Sequence, residues 1–200
     1  MIDFGMESRL YKLANLLYNL MKINLLVLIF SFSIVGFGSA IATGFYEMNQ
    51  FFKKENSVRF SRFLLEFKKN FRNSLFFSGP IVFILYIVFR NFGALILTNN
   101  YYKYSYLIFF TLLISYMFSL LAVTGIVSMN VRNTIAYGAI IFIKQLIILI
   151  ASTILLGILL KFLLLKFPVV LMFFNWIIPL GVYYSVFQKI INDKMYLKNN

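Results

Sequence analysis

Four stretches of the chain, 75–97, 105–129, 146–165 and 168–187, carry apolar side chains almost without interruption. Each approaches or exceeds the ~20 residues that cross a ~30 Å hydrocarbon core. A buried strand or a core helix of a globular domain needs no run of that length. Charged residues are 12% of the chain, about half the roughly 25% of a soluble domain. Too little polar surface remains to cover a water-soluble core, so the expectation is an all-α, polytopic helical membrane protein, a single domain over 1–200.

Two further segments precede these runs. Residues 8–34 form one long helical pattern. Its polar positions Ser8, Lys12, Asn15, Asn19 and Lys22 recur every three or four residues and make a narrow stripe on an otherwise apolar surface. Gly36 and Gly38 interrupt it. Residues 39–54 either continue the first span into water or fold back as the second arm of a hairpin, giving five or six membrane helices in all. The positive-inside rule favours the hairpin. With both termini in the cytoplasm, every Lys and Arg except Arg90, Lys103, Lys161 and Lys166 falls on the inner side.

Residues 56–74 are the most polar internal segment. Phe60, Phe63, Leu64, Phe67 and Phe71 recur at helical spacing, while Arg59, Arg62, Glu66, Lys69 and Asn73 take the opposite face. A basic amphipathic helix with an aromatic face suits the headgroup region, where its cations meet anionic lipid. Arg59, Arg62, Lys68, Lys69 and Arg72 are therefore the candidate docking residues, for anionic lipid headgroups or for a protein partner. The residues Asn99 to Lys103 read as a tight outer loop with interfacial tyrosines. The segment from Arg132 to Lys144 is a second short interfacial stretch leading into a span, a weak echo of the Arg59 to Arg72 segment.

The formal charge of +13 would suit nucleic acid, but no nucleic-acid module surrounds the basic residues, and no nucleic-acid partner is expected. The chain has no Cys, no His and six carboxylates. That excludes His or Cys zinc sites and His-assisted nucleophiles. No P-loop, HExxH or G-x-S-x-G occurs. No metal, cofactor or catalytic residue is expected, and the protein reads as a non-enzyme. Polar residues at membrane depth are functional candidates by default. Here these are Glu47, Arg90 and Asn175, read either as the lining of a solute path or as an ion pair, a snorkelling end and an interhelical hydrogen bond.

The stretch GFYEMNQFFKKENSVRFSRFLLEFKKNFRNS, followed by an apolar run, resembles the YesL-like family of bacterial integral membrane proteins. Ile23 to Leu26 entering the first span, the break at Gly36 and Gly38, and the segment from Asn133 to Ala136 fit the same family. A Pro and a Thr near the first break and a Trp in the first span, usual in that family, are missing. The resemblance implies a protein of the bacterial cell membrane without assigned activity, in an accessory or regulatory role linked to carbohydrate import, with ABC importer subunits as partners. It assigns no site residue. The competing expectation is a small stand-alone transporter or channel.

Overall fold

The computed structural model describes residues 9–33, 35–54, 57–96, 100–127, 129–166 and 176–196. Among these it is helical throughout: α1 (Arg9–Ser31), α2 (Phe37–Lys54), α3 (Phe60–Ile96), α4 (Asn100–Val127), α5 (Val131–Lys144), α6 (Leu146–Lys166) and α7 (Ile177–Tyr196). By length and composition Leu10–Ser31 and Ile108–Val127 are able to cross a membrane, and the bent pair Val131–Lys144 with Leu146–Leu159 makes a third if it is one span.

The first break reverses the chain. The amides of Gly36 and Phe37 both donate to the Ser33 carbonyl at 3.0 Å, closing a turn in which a side chain at position 36 would meet the Phe30 carbonyl at 2.7 Å. The two arms then run back along each other. A Cβ on Gly44 would lie 2.8 Å from Val27 Cγ2, and beyond the end of α2 the Val58 amide donates to Asn19 Oδ1 at 2.9 Å.

The short second arm is the centre of the molecule. Helix α2 packs against α1, α3, α4 and α7, and Ala40, Ile41, Ala42, Phe45 and Met48 are all buried. Its small residues explain how four helices reach it. Between membrane helices there is little hydrophobic driving force, so close approach of backbones and the dispersion it brings carry the packing. At the α2–α4 crossing a Cβ on Gly125 would lie 2.0 Å from the Ala42 carbonyl oxygen. Around this contact Phe45, Phe118, Tyr183 and Phe187 form an aromatic cluster, with the rings of Phe118 and Tyr183 stacked at 4.5 Å.

Three expectations are corrected. The basic segment 56–74 and the run 75–97 are not two elements but parts of one 37-residue helix, because nothing between Asn73 and Leu75 breaks the backbone and Pro80 is accommodated within it. The aromatic face of that segment turns largely inward, although Phe60 at its start stays exposed. Phe63 is buried, and Phe30 of α1 packs on Phe63 at 5.5 Å and Phe67 at 4.9 Å. The tyrosines expected in an outer loop belong to α4, which starts at Asn100.

The other boundaries fall near their expected places, except at the last helix, which runs on to Tyr196 rather than ending near 187; its expected start, over 168–175, lies outside the described residues. Helix α5 meets α6 at 83°, the geometry of a helix lying across the entrance to a span. No such elbow divides α3, so the echo between the two basic segments does not extend to their geometry.

The Gly125 contact sets a test. Gly125→Ala forces α2 and α4 apart and should cost roughly 1–3 kcal/mol, read as a drop of several degrees in the Tm of the detergent-solubilised protein. Gly157→Ala, where an added Cβ meets nothing within 4 Å, should leave Tm unchanged or raise it slightly, since Ala is the better helix former.

Candidate functional site

A line of polar side chains runs along α2 and faces another on α3. On α2, Ser39, Thr43 and Glu47 recur every four residues and share one face of the helix; all three are buried. On α3, Arg62, Glu66, Asn70, Ser74 and Ser78 do the same, and the last three are buried. The two helices cross in opposite senses along this seam. Ser39 Oγ donates to the Phe67 carbonyl at 2.6 Å, and four residues beyond Thr43 the Glu47 carboxylate reaches Arg62.

The Glu47–Arg62 pair is the strongest electrostatic feature of the described residues. Arg62 Nε donates to Glu47 Oε1 at 2.9 Å and Nη2 donates to Oε2, so the contact is bidentate. Nη2 also donates to the Ser57 carbonyl at 3.1 Å. Glu47 is fully buried while Arg62 keeps an edge in contact with solvent. A fixed guanidinium fork matches a carboxylate's two oxygens, which a lysine would not do. Hydrogen bonding to the Glu47 carboxylate pushes the Arg62 pKa above its ordinary value, with partial burial acting in the opposite direction. Midway along the seam Thr43 Oγ1 and Asn70 Nδ2 are buried without a hydrogen-bond partner, a costly arrangement for a hydroxyl and an amide.

Elsewhere polar side chains join helices in pairs and threes. Asn24 of α1 caps α7 from across the bundle: its Oδ1 accepts from the Trp176 amide at 2.7 Å and the Ile177 amide at 3.1 Å. These are orphan donors of a helix start, met by a side chain 152 residues away. Ser115 of α4 and Thr153 of α6 share a hydrogen bond at 2.7 Å, and Thr153 is also bonded to the Tyr183 hydroxyl of α7. Asn73 Nδ2 donates to the Met129 carbonyl at 3.2 Å, tying α3 to the start of α5.

The structure distributes the expected site residues unevenly. It brings together one from each set, Glu47 and Arg62. Arg59, Lys68, Lys69 and Arg72 are exposed, with Lys69 Nζ 3.4 Å from the Glu66 carboxylate. Arg90 is exposed on the same helix as Arg62, about 40 Å further along its axis at 1.5 Å per residue, so it shares no site with Glu47. Asn175 lies outside the described residues. Sequence reasoning passed over Asn19, Asn24, Thr43 and Asn70, although the four-residue spacing of Ser39, Thr43 and Glu47, and of Arg62 through Ser78, was a visible signal.

Chemically the seam offers a neutralised ion pair, one hydroxyl and one amide N–H. Among the described residues no three His, Cys, Asp or Glu side chains gather, and no nucleophile stands beside a base. Residues 20–92 match the family model described as a protein of unknown function, DUF624. The matched segment takes in most of α1, all of α2 and most of α3, and so contains Asn24, the seam and the Glu47–Arg62 pair. No curated protein and no solved structure matches the chain.

Because Glu47 is the more deeply buried partner, the two single substitutions should differ. Arg62→Ala strands a carboxylate in the core and should cost about 3 kcal/mol. Glu47→Gln leaves Arg62 able to turn to water and should cost less. Thermal unfolding of both variants and of the double Glu47→Gln, Arg62→Gln variant checks this, with the double variant expected to be more stable than Arg62→Ala.

Proposed function

We propose that this protein is a non-catalytic integral membrane accessory or regulatory protein, multi-pass in a bacterial cell membrane and linked to carbohydrate import, with ABC importer subunits as its partners. The observation that carries this reading is where the buried polar groups go. Asn19, Asn24, Ser39, Glu47 and Ser115 each hold a helix to another helix or to the residues that enter one rather than converging on a shared space. Such an interior builds a rigid scaffold. The groove of about 270 Å³ between α4 and α6, lined by Ile108, Thr111, Leu112, Ile150 and Ile154, is apolar and unsuited to a sugar.

Five or six membrane helices with both termini in the cytoplasm are part of the proposal. Consistent with that topology, the first half of α1, the end of α2, residues 57–59 and the stretch of α7 around Tyr184 lie toward one end of the bundle. Asn19 meets Val58, and Phe52 stacks on Tyr184 at 5.5 Å. The likeness to the YesL-like family supports the accessory role by analogy alone; the family matched over residues 20–92 has no known function.

A stand-alone transporter is the second reading, favoured by the unpartnered Thr43 and Asn70 in the seam. Affinity purification of the tagged protein in mild detergent, with mass spectrometry of what accompanies it, separates the two. Recovery of importer subunits in near-equal amounts is the expected result. Recovery of the protein alone overturns the obligate-subunit role, and solute uptake by vesicles containing only this protein would then establish the second reading.

A further inference from the structure

The outer face of α3 carries an ordered sequence of side chains that none of the internal contacts explains. Successive residues of an α-helix advance by about 100°. Leu65, Lys68, Arg72, Phe76, Phe83 and Arg90 therefore fall within about 40° of one line, and all six are exposed. The apolar members are not marginally so: Leu65 is 69% exposed, Phe76 61% and Phe83 64%. From Lys68 onward the chemistry changes once in each direction, from cations at Lys68 and Arg72, through Phe76 and Phe83, to the single cation Arg90, and Leu65 lies before the cations, outside the stripe. Arg72 and Arg90 stand about 27 Å apart along the axis, close to the ~30 Å of a hydrocarbon core. A stripe of large apolar side chains of that length, ended by arginine at both limits, is what a lipid-facing surface presents.

The two ends are unequal. Arg90 is alone on its line, whereas Lys68 and Arg72 are accompanied by Lys69, which shares its charge with Glu66. The tie from Asn73 to Met129 brings the start of α5, with its exposed Arg132, to the same end. Arg62 is not available there, being turned inward to Glu47. We infer that Lys68 and Arg72 form a binding site for the phosphate of an anionic phospholipid whose acyl chains lie along Phe76 and Phe83, with Arg132 adding positive charge at the same end of the bundle. Charge complementarity selects the headgroup, and the continuity of the cations with an exposed apolar stripe selects a lipid over a protein or a free anion. The site does not depend on the accessory role.

Thermal unfolding of the full chain in neutral detergent, with added phosphatidylglycerol or phosphatidylcholine, is the test. A ligand that binds the folded state alone raises Tm, so phosphatidylglycerol should raise it by several degrees and phosphatidylcholine by little. The Lys68→Gln, Arg72→Gln variant, altered only at exposed positions, should keep its lipid-free Tm and lose at least half of the shift. Equal shifts from the two lipids, or a full shift in the variant, would overturn the site. So would inorganic phosphate reproducing the shift, which means a free anion, or a co-purifying protein lost in the variant while the lipid shift survives, which means a protein surface.

If that variant fails to fold, the lack of cysteine in the chain gives an independent measurement. In vesicles opened to both faces, a charged maleimide should label the Leu65→Cys variant at least tenfold faster than Phe83→Cys. Equal rates would refute the lipid-facing stripe.

Discussion

The close approach of α2 to its four neighbours is the contact on which the remainder of the bundle rests. An 18-residue helix is short for a span and too rich in Gly, Ala, Ser and Thr to bury much apolar area by itself. Those same residues let α1, α3, α4 and α7 come within backbone distance of it. For helices that cross a membrane, burial of apolar side chains gains little over leaving them in the acyl chains. Shape and polar ties then decide which helices associate. The Gly125–Ala42 contact supplies the first and the Glu47–Arg62 pair the second.

The polar residues show a consistent division of labour. Where a helix starts or ends inside the bundle, its backbone groups must be satisfied by protein, since no water is at hand. Asn24 does this for α7 and Asn19 for the residues entering α3. Both lie on α1, the longer arm of the hairpin, so α1 is held at two levels and α2 is trapped between it and the other helices. Glu47 then tolerates complete burial because its charge is matched by a bidentate partner at the edge of solvent, where the desolvation cost of the pair is moderated.

Function follows from what this arrangement leaves over. The inward groups are mostly engaged in holding helices. What faces outward is a long apolar stripe on α3, ended by cations, together with the exposed surface of α6, where Ile147, Ile148, Leu155 and Ile158 are uncovered. These uncovered apolar surfaces suit a lipid surrounding. Among the inward groups the seam between α2 and α3 is the exception, and its unpartnered Thr43 and Asn70 mark a place where an internal polar role is open.

Much of this was legible before any coordinates. The length of the apolar runs determined that the chain is helical and carries segments able to cross a membrane, because a bilayer admits no unpaired backbone and sets the length of any crossing. The glycine break and the distribution of Lys and Arg favoured a fold-back of 39–54, and the packing of α2 along α1 decided it. Residue types alone excluded thiol and imidazole chemistry. What only the tertiary structure decided was which polar residues meet. Glu47 and Arg62 are 15 positions apart, and Asn24 and Trp176 are 152; no local periodicity couples such pairs. The tertiary structure also decided the side to which the aromatic face of α3 turns. An amphipathic pattern states that two faces differ, but whether the apolar face meets lipid or Phe30 of α1 depends on which helix arrives there. The reason is the same in each case: spacing along one helix fixes the direction of a side chain about that helix, and only packing supplies what lies in that direction.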